Sequence, residues 1–481
     1  MSLFRTKPID VNADTGLKRC LGAFDLTMLG IGCIIGTGIF VLTGVVAAQH
    51  SGPAIVLSFI LSGIACAFAA LCYAELAGAI GGAGSAYGYA YSGIGELVAW
   101  IIGWDLILEY AFSNMAVSVG FAGHAVALLD WFGIHPNLRW ISPAYLPSGL
   151  QDLQGHDLYA SGWHFGFNIP AFLIVMLLTM VLVRGIRESA ETNNVMVLLK
   201  IAAILLFIGV GAHYIHPTNW KPFYPNGWSG VLTGGSIIFF TYIGFDSVST
   251  AAEECKNPQR DVPIGIIATL IICTILYIGV AVVLTSLIKW TALVDDAAPV
   301  VNTLKKIYLA NPSGTLNWTR LAIIIGAMLG MISSILVFQI GQARVWFAMS
   351  RDRLLPSVFA KVHPRFRTPS VATWVAGFVV GVPAGLLDIG TFSDLSNIGT
   401  LFAFVLVSAG VLILRYKDPN RRRGFRCPGG PILPILSIAF CALLMAGLPI
   451  ITWIRFFIWL GIGLLIYFFY SRKRSEFAGV K

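Results

Sequence analysis

Charge is what this chain lacks most: of 481 residues only 11% are Asp, Glu, Lys or Arg, while 57% are hydrophobic and mean hydropathy is +0.80. A soluble domain carries roughly a quarter charged residues, so the deficit excludes water as the main solvent. The eight cysteines, Cys20, Cys33, Cys66, Cys72, Cys255, Cys273, Cys427 and Cys441, form no CxxC pair, and they imply neither disulfides nor a zinc site. The N-terminus from Met1 to Leu21 has Arg5, Lys7, Lys18 and Arg19 but no short apolar region ending in a small-residue cleavage site. No cleaved secretory signal is expected. No nucleophile motif or metal cluster accompanies the few intramembrane carboxylates, so neither an enzyme nor a metal site is expected.

What is present is a series of apolar runs. A spanning helix needs about 20 mostly apolar residues, and twelve segments qualify, near 24–48, 54–80, 96–128, 168–184, 192–213, 229–252, 264–290, 319–349, 371–387, 392–414, 432–448 and 451–470. The expected fold class is an all-α membrane protein of about twelve transmembrane helices. Only Leu448-Pro449-Ile450 separates the last two, which predicts a tight antiparallel hairpin.

The net charge of +9 does not signal nucleic acid, because it follows the loops. With the N-terminus inside, the inward segments hold 24 of the 32 Lys and Arg residues. The positive-inside bias therefore predicts two cytoplasmic termini and residence in the cell membrane, plasma or inner. The long outward loop from Asp130 to Phe167, rich in Trp, Pro, Gly and His, is expected on the membrane surface; its His135, His156 and His164 read as ordinary surface residues. Arg421-Arg-Arg-Gly-Phe-Arg426 reads as positive-inside anchoring before anionic-lipid recognition.

Two spans are interrupted. The first contains Gly30, Gly32, Gly36 and Gly38, although glycine weakens a helix by roughly 1 kcal/mol relative to alanine; close helix packing is the competing explanation. The sixth, from Gly234 to Ser247, again carries glycine and polar groups at mid-depth. Spans one to five and six to ten would make two halves, and an odd number of helices inverts the second relative to the first. Interrupted helices at matching positions of inverted halves point to a transporter's binding site. An unwound Gly36-Thr37-Gly38 offers backbone N–H groups at the positive start of a half-helix, which suits a carboxylate. Helix ends near Ile34 and at Phe240 to Ile243 offer carbonyls that suit an ammonium group. Such a ligand is an α-amino acid.

The segments Gly30-Ile-Gly-Cys-Ile-Ile-Gly-Thr-Gly-Ile-Phe-Val-Leu-Thr-Gly44, Phe240 to Gly265 and Phe347-Ala-Met-Ser-Arg-Asp-Arg-Leu-Leu-Pro356 carry a resemblance. The chain resembles the amino acid/polyamine/organocation transporter superfamily, and within it the cationic amino acid transporter family and its bacterial members. The likeness implies a five-plus-five inverted-repeat, leucine-transporter-like fold with helices 1 and 6 broken. The repeats would run over 24–213 and 229–414, two further helices over 432–470, and cytoplasmic ends over 1–23 and 471–481. It implies that the amides near Thr37 and Gly38 receive the carboxylate, that the carbonyls of Ile34, Phe240 and Ile243 receive the amine, and that Phe240 closes over the ligand. Thr241 departs from the alanine often found there.

Lys200, in the fifth span, would cost about 2.5–3.5 kcal/mol at mid-bilayer. Proton release there is a candidate coupling step, against a lysine that snorkels to the interface; in bacterial relatives a lysine at this point stands in for a sodium ion. Asp105 and Glu109 share one face of the third span, and Glu109 resembles the family's pocket carboxylate. Asp246 is expected to tie unwound backbone, Glu75 to be structural, and Ser333 and Ser334 to line the side-chain pocket. The resulting expectation is proton-coupled import of an L-amino acid, small and neutral or cationic, with no cofactor beyond the proton. Its partners are the substrate and membrane lipids, not nucleic acid, and a further small membrane partner is left unassigned. The alternative is an exchanger or facilitator without proton coupling.

Overall fold

No water reaches a bilayer core to satisfy backbone N–H and C=O groups, so a chain this apolar must satisfy them within itself, and helices do so. A computed structural model describes residues 5–7, 21–80, 86–146, 150–151, 157–159, 162–163, 166–184, 190–250, 255–293, 296, 298–310, 312, 314–366, 368–421 and 423–475. Cys20, His156, His164 and positions 251–254 of the second motif lie outside the described residues.

The principal helices are α1 (Ala23–Ile34), α2 (Ile55–Ile80), α3 (Ala86–Gly93), α4 (Glu96–Trp131), α5 (Ile169–Val183), α6 (Ala190–Gly211), α7 (Gly227–Ile238), α8 (Pro258–Leu287), α9 (Pro299–Ala310), α10 (Gly314–Arg351), α11 (Ser370–Leu386), α12 (Ile389–Lys417), α13 (Ile432–Ala446) and α14 (Ile450–Ile466). Among the described residues, eight helical stretches are long and apolar enough to cross a membrane, and α1, α5, α11 and α13 are shorter apolar helices. Together they occupy the twelve expected intervals. Gly447 to Pro449 separate α13 from α14, but the two do not pack along each other as the expected tight hairpin would: α13 packs on α12 and α2, and α14 on α12 and α4. Two helices were not anticipated: α3 and α9 are too short and too polar to register as spans. The loop after α4 is not wholly irregular either. Its strands pair antiparallel, Tyr145–Leu146 with Gly162–Trp163 and Leu150–Gln151 with Asp157–Tyr159.

Side chains sort by solvent. Leu198, Leu199 and Leu205 on α6, Ile271 and Ile275 on α8, and Phe457 and Ile458 on α14 face outward, as lipid-facing residues should. Polar groups turn inward and join helices: Asn114 donates to Gln339 at 2.5 Å, Gln339 donates to Thr179 at 3.0 Å, and Ser113 and Ser396 hydroxyls lie 2.7 Å apart. Such bonds hold helices together where lipid supplies no hydrophobic drive.

The packing has an internal correspondence. α2 packs on α8, α4 on α10 and α5 on α11. The α1·α8 contact has a counterpart in α7·α2, α6·α10 in α12·α4, α1·α6 in α7·α12, and α6·α8 in α12·α2. Even α3 against α4 is matched by α9 against α10.

One ion-pair cluster fixes the end of α2. Buried Glu75 accepts from Arg415 of α12 through both carboxylate oxygens, lies 3.3 Å from Arg423 and accepts from the Cys427 N–H at 2.8 Å. Glu75 is thus the structural partner anticipated. Removing one member of a buried pair costs about 3–5 kcal/mol, because the other is left buried and uncompensated. Arg415→Ala should therefore lower the thermal unfolding midpoint of the purified protein strongly, and Glu75→Gln in the same chain should recover part of the loss.

Candidate binding site at two helix breaks

The first break follows α1 directly. Ile35 is extended, with φ −77° and ψ 98°, and helix resumes as a wide turn over Gly38–Leu42 that continues to Ser51. Thr37 stands at the start of this half-helix but makes no side-chain cap. Its hydroxyl donates instead to the Val117 carbonyl of α4 at 3.2 Å, leaving the positive end of the half-helix turned to the break.

The second break is tighter. α7 passes into a turn over Phe239–Tyr242, Ile243 is extended (φ −62°, ψ 133°), and Gly244 takes φ +115° before a short helix restarts at Ser247. A side chain is unfavourable at that φ, and a Cβ on Gly244 would lie 2.5 Å from Cys33 Sγ of α1. The two breaks thus meet. At Gly38 a Cβ would stand 2.6 Å from Thr241 Cγ2 and 2.8 Å from Thr241 Cα, so glycine lets one broken backbone lie on the other.

The exposed carbonyls of α1 are met by donors from three helices. Lys200 of α6, fully buried, donates from Nζ to the Gly32 carbonyl at 2.6 Å and the Ile35 carbonyl at 3.0 Å. A cation at a helix C-terminus is favourable. The Tyr277 hydroxyl of α8 sits 2.7 Å from the Thr241 carbonyl and 3.2 Å from the Ile34 carbonyl, and so spans both breaks. Ser333 donates to Gly32, and the Ser334 hydroxyl is within 3.3 Å of the Gly32, Cys33 and Ile35 carbonyls.

Carboxyl groups gather on the α4 side. Tyr110 donates to Asp246 Oδ2 at 3.1 Å, tying the second break to α4. Glu109 is 1% exposed and its Oε1 has no hydrogen-bond partner among the described residues; the same holds for both oxygens of Asp105 and for the Thr241 hydroxyl.

The residues singled out in sequence therefore fall into groups. Ile34, Gly36, Thr37, Gly38, Phe240, Thr241 and Ile243 lie at the facing breaks, all buried. The Ile34 carbonyl shares Tyr277 with Thr241, and the Phe240 carbonyl accepts from Ile243 N–H at 3.2 Å. Lys200 does not snorkel: it is held by carbonyls that the broken helix leaves over. Ser333 and Ser334, expected to line the side-chain pocket, donate to the α1 carbonyls, since a helix end buried away from water needs donors. Tyr277, Tyr110 and Val117 were not anticipated. For the two tyrosines the available signal was a hydroxyl set within an apolar run; Val117 acts through its backbone and left no signal.

The chain matches the family model described as "Amino acid permease" over residues 21–473. It is 46% identical to a methylthioribose transporter of Bacillus subtilis over 98% of this chain and 99% of that protein. It is 48% identical to a branched-chain amino acid permease of the same organism over 99% of each. A chloroplastic cationic amino acid transporter of Arabidopsis thaliana is 35% identical over 96% of this chain and 89% of its own length. These relatives are named as transporters, none as an enzyme, and the apolar helices agree with a multi-pass membrane protein. The chain belongs to the amino acid permease family.

Proposed function

We propose that this protein imports L-α-amino acids across the cell membrane by proton-coupled alternating access, binding them between the breaks after α1 and α7. The observation that carries this reading is the apposition of Gly38 and Thr241, which sets the start of one half-helix against the end of another. Uncapped N–H groups at Thr37 and Gly38 suit the carboxylate, and carbonyls at Ile34, Phe240 and Ile243 suit the ammonium group. Phe240 stands at the same break to cover the ligand. The matched packing of α1–α6 with α7–α12 supports two repeats, 24–213 and 229–414, moving about that shared site. Both termini lie in the cytoplasm on this reading, from the distribution of Lys and Arg.

Lys200 supplies the coupling. As an ammonium group it bonds the Gly32 and Ile35 carbonyls and holds the end of α1 against α6; as a neutral amine it holds them less firmly. Proton loss to the cytoplasmic side then releases α1 from the bound arrangement. No resident cofactor is needed. Glu109, with one oxygen unpaired near Asp246, is placed to meet a cationic side chain or to bias the site against one, so the side-chain choice is between small neutral and cationic amino acids. One observation favours a second reading: the methylthioribose transporter, at 46% identity, is nearly as similar as the branched-chain permease at 48%, and the unpaired Thr241 hydroxyl and Glu109 oxygen would also suit the hydroxyls of a thiosugar.

Radiolabelled alanine uptake into proteoliposomes should rise with an inward proton gradient, and Lys200→Ala should abolish the gradient response. Uptake that ignores pH and needs sodium, or a counter-amino acid, overturns the coupling. Gly38→Ala should weaken substrate binding by tenfold or more, taking about 1.4 kcal/mol as one decade, and should also lower the unliganded melting midpoint, because the new Cβ meets the Thr241 backbone. A thermal-shift screen of alanine, leucine, arginine and methylthioribose separates the readings, and Glu109→Gln should remove only an arginine-induced shift.

A further inference from the structure

Two arginines of the basic run between α12 and α13 are already engaged. Arg421 Nε donates to the Ala79 carbonyl at 2.9 Å, and Arg423 lies 3.3 Å from Glu75 and donates to the Asp418 carbonyl at 3.0 Å. They hold the segment to the end of α2, and the segment in turn walls a groove. Gly424 N–H donates to the Gly78 carbonyl at 3.2 Å, and a Cβ on Gly424 would stand 2.3 Å from Gln259 Cβ, so this backbone lies directly on the first turn of α8. Beside that contact is a cavity of about 440 Å³, lined by Arg260, Ile264 and Ile267 from α8 and by Gly424 and Phe425 from the segment.

The groove continues onto the lipid-facing surface. Arg260, Ile264, Ile267, Ile271 and Ile275 follow one another at intervals of three or four residues and so share one face of α8. Ile264, Ile271 and Ile275 are 42%, 55% and 65% exposed. A row of isoleucines thus runs from the cavity toward mid-bilayer, with a cation at its head. Arg260 is exposed, and among the described residues its side chain has no hydrogen bond or ion pair. Asp261, the acid of the same turn, is buried and faces the Cys255 thiol at 3.9 Å instead. Lys256, just before α8, and Arg426, just after Phe425, are exposed as well, so the mouth of the groove is positive.

We propose that this groove binds an anionic phospholipid, with its phosphate on Arg260 and the Gln259 amide and one acyl chain along Ile264, Ile267, Ile271 and Ile275. The planar guanidinium donates through two parallel N–H groups, which matches a phosphate, and basic pockets beside spanning helices suit anionic headgroups. Phe425 covers the first carbons of the chain from the other wall. A zwitterionic lipid fits the same shape, but its cationic headgroup meets the positive charge of Lys256, Arg260 and Arg426. The bound lipid bridges α8 and the segment after α12, both of which rest on α2, and so stabilises that end of the bundle.

The test titrates the full-length protein in detergent with dioleoylphosphatidylglycerol or dioleoylphosphatidylcholine, reading bound lipid by native mass spectrometry and stability by the thermal unfolding midpoint. Phosphatidylglycerol should bind roughly tenfold more tightly and raise the midpoint. Arg260→Gln should bring the two lipids level, and Arg260→Lys should keep part of the preference. Lys473→Gln, which removes an exposed charge near the C-terminus, should leave it unchanged. In the native sequence, phosphatidylglycerol with a photoreactive group in its acyl chain should label α8 within 264–275. Equal binding of the two lipids by the native protein overturns the proposal. A preference that survives Arg260→Gln, or that falls equally in Lys473→Gln, overturns it as general surface charge. Glycerol 1-phosphate that competes as strongly as the lipid makes this a phosphate site without a lipid, and labelling confined to other helices places the lipid elsewhere; either result overturns it too. Every readout is independent of amino acid uptake.

Discussion

The structure depends on the cost of leaving a backbone carbonyl unbonded away from water. Each unsatisfied group in hydrocarbon costs several kcal/mol, and α1 stops at mid-depth with carbonyls from Gly32 to Ile35 exposed. Lys200, Ser333, Ser334 and Tyr277 converge on those atoms from α6, α10 and α8. A broken helix is tolerated here because three neighbours replace the hydrogen bonds that the next turn would have made. The same donors fix where α1 sits relative to the rest of the bundle.

Lys200 shows how the costs balance. Burying the charge costs about 2.5–3.5 kcal/mol on insertion scales, and two charge-assisted bonds return about 1.5–3 kcal/mol each. The protonated lysine is therefore stable only while the α1 carbonyls face it. The charge on this one side chain and the geometry of the break therefore depend on each other, which is what the proposed coupling role requires. Tyr277, between the Ile34 and Thr241 carbonyls, joins the two breaks, so a shift of either one reaches the other within a single hydroxyl.

The unbroken helices and the breaks are held by different interactions. The ion pair of Glu75 with Arg415, and the interior chain Asn114–Gln339–Thr179, hold long unbroken helices together at fixed register. The breaks are held by single hydroxyls and one ammonium group. Packed glycine at Gly38 and Gly244 brings the two unwound segments into close approach, as the proposed site requires.

Much of this was legible before any coordinates. The all-helical class and the placement of the apolar helices followed from apolar runs because lipid leaves a spanning chain few alternatives, and the breaks were visible because glycine and polar residues stand where helix formers belong. Helices α3 and α9 were missed because they are too short and too polar for a spanning pattern. The bonds of Ser333 and Ser334 to α1 left no signal, because a serine in an apolar span looks the same whether it faces a ligand or a neighbouring carbonyl. The sequence by itself determined the solvent, the helices and the positions where they break, because those follow from local composition and periodicity. Only the tertiary structure decided which donor meets each exposed carbonyl, because a hydrogen bond over Lys200–Gly32 or Tyr277–Thr241 depends on the approach of helices that no local pattern encodes.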